Sequence, residues 1–187
     1  IRVNNIIMQR VLSPIVMNLF YRCGASPNDE VLFGTDPQPV TEKTPILRNI
    51  SWSNITARDV RAAAGFLHGL PEMPIQNVRF HDIVIETTCD PQEQGGEPAM
   101  VFGLEPMVGK GILGKYLKGV QFHHVRVETR QEEGLRLEES QEIEIHGFIM
   151  KNLHPESAAI VLKQVEKAFA HGCYVWSSEG SFVQLRG

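Results

Sequence analysis

One short phrase recurs along this chain: an apolar residue, any residue, an apolar residue, two further residues, then a third apolar residue. It appears as Ile6, Met8, Val11; as Ile50, Trp52, Ile55; and as Val78, Phe80, Ile83. It returns as Val120, Phe122, Val125, then Ile143, Ile145, Phe148, and more weakly as Ala168, Ala170, Cys173. The first two members alternate as a strand with one buried face requires. The two-residue gap before the third makes a tight corner that turns the next apolar residue inward. Asn5, Asn49, Asn77 and Gly119 precede four of the phrases. Asn and Gly tolerate the left-handed backbone that such a corner needs.

A second strand is expected after each phrase, usually opened by a small residue. The candidates are Pro14 to Asn18, Ala63 to His68, Ala99 to Phe102, Gly134 to Glu138, Ala158 to Leu162 and Ser181 to Leu185. The basic repeat is 23 to 28 residues, and two longer intervals carry inserted loops. Loops are expected near 22–45 and 87–98, rich in Pro, Gly, Asp and Gln, and near 103–114. No 11-residue window sustains a helical period, and the Leu-x-x-Leu-x-Leu signature of leucine-rich repeats is missing. The pattern predicts an all-β fold: a right-handed, single-stranded parallel β-helix of about six rungs, one domain over 1–187. Such a stack would be roughly 25–30 Å long. Because Ile1 opens directly into a rung, further rungs are expected before it, the N-terminal end being truncated.

Composition narrows the functional classes. Hydrophobic residues at 42% and charged residues at 21% describe an ordinary globular chain. A net charge of −4 with scattered Lys and Arg predicts no nucleic-acid partner. No run approaches the roughly 18 apolar residues of a membrane span, so no membrane partner is expected. Cys23, Cys89 and Cys173 are odd in number and widely spaced, which argues against a zinc or disulfide framework.

Three segments carry a family resemblance. They are Val3-Asn-Asn-Ile-Ile-Met-Gln-Arg-Val-Leu-Ser-Pro-Ile-Val-Met-Asn-Leu-Phe-Tyr21, Thr44-Pro-Ile-Leu-Arg-Asn-Ile-Ser-Trp-Ser-Asn-Ile55 and Gly69-Leu-Pro-Glu-Met-Pro-Ile-Gln-Asn-Val78. They resemble glycoside hydrolase family 28, the polygalacturonases and their relatives, specifically through about residue 85 and more loosely beyond. The resemblance implies a pectin-lyase-like β-helix, inverting hydrolysis of galacturonan or rhamnogalacturonan, no cofactor and no metal, and a secreted or periplasmic location. Inversion needs one carboxylic acid for the leaving oxygen and one carboxylate to activate water. The family's Asn-Thr-Asp, Asp-Asp, Gly-His-Gly and Arg-Ile-Lys motifs do not occur here. No catalytic residue is therefore expected in this chain, and the motifs are expected in upstream rungs of its parent. Gly34-Thr35-Asp36 imitates one motif only within a Pro-rich insertion.

The resemblance does assign Tyr21, which follows a Pro-Ile-x-x-x-x-x-Tyr strand, to the substrate cleft; the plainer alternative is an aromatic anchoring a loop. Asn18, His68 and Arg136 should point outward from the second strands and extend the binding surface for pectic polysaccharide, with simple solvation as the alternative. Glu132, Glu133, Glu138 and Glu139 are read as solvated charge. The glycosylation-type triplets Asn49-Ile-Ser51 and Asn54-Ile-Thr56 are read as corners. His81, His123, His146 and His171 each lie three residues after a phrase start, with His68, His124 and His154 outside that series. They should form an outward ladder, read as stacked structural rings rather than as a metal column. A different class of protein, a carbohydrate-binding or adhesive β-helix of the tailspike type, is the rival to the enzyme.

Overall fold

The computed structural model describes residues 1–20, 36–98, 104–129, 133–152, 157–176 and 181–187. These residues form strands and loops with no helix. The strands are β1 (Arg2–Gln9), β2 (Val16–Asn18), β3 (Arg48–Val60), β4 (Ala63–His68), β5 (Ile75–Thr87) and β6 (Lys110–Lys115). Then come β7 (Leu117–Thr129), β8 (Leu135–His146), β9 (Ile149–Asn152), β10 (Ile160–His171), β11 (Tyr174–Val175) and β12 (Val183–Arg186). All pairings between these strands are parallel, in one 12-stranded sheet.

The sheet curls because single strands change partners along their length. The first residues of β8 pair with β6 and its later residues with β7. The first part of β7 pairs with β8, its last part with β9. At each change the backbone enters the left-handed region, in columns that repeat in register. One column holds Asn49, Asn77, Gly119, Glu142 and Lys167; a second holds Asn5, Asn54, Asp82, His124, Gly147 and Gly172; a third holds Tyr116, Glu139 and Gln164. Asn77 Nδ2 donates to Asn49 Oδ1 at 2.6 Å, so neighbouring corners bond to each other. Both Asn residues of the glycosylation-type triplets are corners.

The phrase residues build the core inside the curl. Ile50, Val78, Val120 and Ile143 are register partners, as are Trp52, Phe80, Phe122 and Ile145. Phe80 and Phe122 stack at 5.0 Å between ring centroids, 13° from parallel. The opposite wall is the column Met17, Leu67, Gly114, Leu137 and Leu162.

Two readings of the sequence need correction. In the first repeat Val3 pairs with Trp52 and Ile6 with Ile55, so the phrase there runs Ile1, Val3, Ile6, and Asn5 belongs to the second corner column. The other correction concerns the strand after β5. Ala99 to Phe102 lie outside the described residues, and the segment that continues from β4 is Lys110–Lys115, which overlaps the end of the loop expected near 103–114. Glycine hid it. A Cβ on Gly111 would lie 2.2 Å from the Glu133 carbonyl oxygen, and one on Gly114 2.6 Å from a Leu137 methyl. These glycines stand in a strand because neighbouring chain leaves no room for a side chain.

Candidate functional site

The short strands β2, β4 and β6, with the first parts of β8 and β10, form one strip of the sheet. Residues flanking its buried column point outward on both sides. Asn18, His68, Lys115, Glu138 and Lys163 make one outward row. Val16, Phe66, Leu113, Arg136 and Val161 make the other. Asn18, His68 and Arg136 thus share a face, as the alternation predicts. Tyr21 lies outside the described residues.

On this face a cavity of about 260 Å³ has Phe66, Leu104, Leu113 and Gly114 as its apolar lining and His68, Lys115, Arg136 and Glu138 as its polar groups. Arg136 is fixed from two sides: Nε donates to Glu138 Oε1 at 2.9 Å and Nη1 to Glu133 Oε1 at 2.8 Å. Lys163 approaches Glu138 Oε2 at 3.6 Å, and Lys115 Nζ lies 2.9 Å from Glu139 Oε1. Lys115 also sits 4.8 Å above the centroid of the Tyr116 ring. Burial disfavours the Lys115 charge, but its bonds to Glu139 and Tyr116 outweigh that and hold its pKa above the ordinary lysine value.

His68 is enclosed by rings. Phe20 lies 4.6 Å away and tilted, Phe66 5.7 Å away and edge-on, Tyr116 6.1 Å away and nearly parallel. Burial, then the Lys115 charge, lowers its pKa from 6.5 to about 4, with Glu139 pulling the other way. At neutral pH the imidazole is uncharged, so it offers a ring face and hydrogen-bonding nitrogens, not a cation. Asn18 is turned partly to its own chain, its Oδ1 accepting the Phe20 N–H at 3.0 Å. That Asx-type turn shapes the exit of β2.

This arrangement suits binding better than bond cleavage. Burial works to raise the Glu138 pKa, but the Arg136 bond and the charges of Lys163, Arg136 and Lys115 outweigh it and leave the carboxyl below its ordinary value. A carboxylate held ionised by neighbouring cations is a poor general acid. Glu133 and Glu139 are likewise engaged with Arg136 and Lys115. An apolar floor edged by fixed donors can instead take the C–H face of a sugar ring and bond its hydroxyl or carboxylate groups.

Comparison with family models, with curated proteins and with solved structures gives no match. The resemblance to the polygalacturonases therefore rests on the quoted residues alone.

Lys115, Tyr116 and Phe20 were not singled out from the sequence. The signal for Lys115 was there: Gly65-Phe-Leu-His68, Ile112-Leu-Gly-Lys115 and Leu135-Arg-Leu-Glu138 align position by position. A glycine at the inward position of the middle strand broke the apolar pattern.

The histidine ladder forms on the long strands. His81 pairs with His123, His123 with His146, and His146 with His171. His146 and His171 stack at 4.1 Å and 14°, and His123 meets His146 edge-on at 5.6 Å. His124, outside the series in sequence, joins it in space, its ring 5.2 Å from His146 and its Nδ1 3.4 Å from Asp82. Partial desolvation, then the charges of His171, His124 and His123, lower the His146 pKa, while Glu144 acts to raise it. His81 is drawn to Asp82, 3.0 Å from its Nδ1. Bonds and charges from His81 and His124 outweigh desolvation and lower the Asp82 pKa.

Proposed function

We propose that this chain forms the C-terminal rungs of a right-handed parallel β-helix whose short-strand face binds pectic polysaccharide, as part of a polygalacturonase-type glycoside hydrolase. The observation that carries the reading is the apolar cleft edged by His68, Lys115, Arg136 and Glu138 on one outward face. The curled, all-parallel sheet with in-register corner columns supports the β-helix, since parallel crossovers are right-handed in nearly all proteins. About six rungs accommodate the repeats. The three quoted segments supply the link to pectin, and Tyr21 is proposed as a cleft residue on the same ground.

Hydrolysis by inversion requires two carboxyl groups on opposite sides of the sugar. None of the family's catalytic motifs occurs in these 187 residues. In this reading preceding rungs of the parent chain supply them, stacking on the outer edge of β1, which pairs with β3 alone among the described strands. The parent enzyme would act outside the cytoplasm, secreted or periplasmic, where its polymer is.

The test is titration of the purified chain with tri- to hexagalacturonate, followed by amide chemical shifts. Saturable shifts are expected at 66–68, 113–115 and 136–138. Lys115→Ala and Arg136→Ala should each weaken binding by about tenfold, the equivalent of one charge-assisted hydrogen bond. The chain alone should release no reducing sugar. Shifts confined to other faces, or turnover abolished by mutating a residue of this chain, would overturn the proposal.

A further inference from the structure

Each charged side chain that lines the cleft already stands against one of opposite sign. Arg136 is held by Glu138 Oε1 at 2.9 Å and Glu133 Oε1 at 2.8 Å. Lys163 lies 3.6 Å from Glu138 Oε2, and Lys115 lies 2.9 Å from Glu139 Oε1. Three cations thus face three carboxylates, and the cluster as a whole is neutral. Glu138 is itself part of the lining, and its cations keep it ionised against the effect of burial. His68, the remaining polar group of the lining, is uncharged at neutral pH. Phe66, Leu104 and Leu113 make an apolar wall beside them. A free uronate entering this cavity of about 260 Å³ brings its anion beside Glu138, and both lining cations already have carboxylates of their own.

We propose, resting on the reading of this face as the sugar site, that the cleft selects a methyl-esterified uronate over the free acid, with Glu138 setting the choice. Esterification removes the charge and keeps a carbonyl oxygen, which still accepts from the N–H groups of Lys115 or Arg136. It adds a methyl group that the wall of Phe66, Leu104 and Leu113 can cover. The free acid gains no such burial, and it sheds its hydration next to a carboxylate of the same sign. One apolar group of this size is worth about tenfold or more in a hydrophobic pocket. Repulsion from Glu138 acts in the same direction. Lys163 works against the bias, because it lies at the other oxygen of Glu138 and offsets part of its charge. The polymer suited to this face is one that retains esterified residues, not a fully de-esterified polyuronate.

The experiment is a pair of amide-shift titrations of the whole chain at neutral pH, one with trigalacturonate and one with its fully methyl-esterified form. The ester is expected to bind about tenfold tighter, with shifts at 66–68, 113–115 and 136–138. Glu138→Gln keeps an oxygen for the Arg136 Nε bond and removes the anion. It should tighten the acid by about fivefold and leave the ester within about twofold. Lys163→Gln should loosen the acid and leave the ester unchanged, whereas a merely structural disturbance moves both ligands together. Melting curves establish that each variant is folded; Lys163→Gln, at a half-exposed side chain, carries the test if Glu138→Gln disturbs the sheet. Equal or tighter binding of the free acid by the native chain, or variants that shift both ligands alike, would overturn the selection and leave the sugar site standing. Cleft amides that respond to neither oligomer would overturn the sugar site and the selection with it.

Discussion

Replacing His68 by Phe keeps a planar ring against Phe20, Phe66 and Tyr116 and removes an imidazole whose charged form the fold disfavours. In the folded chain His68 has its pKa lowered from 6.5 to about 4, first by burial and then by Lys115. The unfolded chain takes up that proton as pH falls through about 6.5, while the folded chain resists until about 4. The contribution is therefore fully present above pH 6.5 and lost as pH falls toward 4. Between pH 7.5 and 5.0 it amounts to about 2 kcal/mol, and by pH 4 to about 3 kcal/mol. Urea denaturation of the native chain and His68→Phe at both pH values separates this from other titrations, which both proteins share. The native chain should lose about 2 kcal/mol more than the variant between pH 7.5 and 5.0. Equal losses, within a few tenths of a kcal/mol, would mean that His68 titrates normally and is not enclosed by those rings.

Two further outcomes follow from the packing and the ladder. Gly111→Ala should destabilise by about 3 kcal/mol, because the new methyl meets backbone oxygens. Gly119→Ala should cost only about 1 kcal/mol, for a positive φ with no close neighbour, and Gly119→Asn less, since Asn49 and Asn77 occupy the same column. Chemical denaturation ranks the three, and a Gly119→Asn cost equal to that of Gly111→Ala would refute the corner assignment. His171→Gln should raise the His146 pKa toward its ordinary value by removing the stacked neighbour that lowers it. Imidazole NMR titration reads this directly; an unmoved His146 would show that the rings are not in register.

Apolar alternation and recurring Asn and Gly corners were enough to specify an all-β chain of parallel strands, because a period of two and a left-handed corner are local properties of the backbone. The histidine ladder was legible for the same reason: three residues after a phrase start is a fixed place on a strand of known register. What the sequence left open was decided by neighbours. Ile1, Val3, Ile6 and Ile6, Met8, Val11 both satisfy the phrase, and pairing with β3 selects the first. Lys110–Lys115 reads as loop until the close approach of the Glu133 backbone and the Leu137 side chain explains its glycines. Lys115, Tyr116 and Phe20 come together with His68 only once that strand is in place, and with them come the burial and the charge that hold His68 neutral. A side chain's outward direction follows from its position along a strand. Its protonation state and its partners depend on desolvation and on charges brought in from distant parts of the chain, and those exist only after folding.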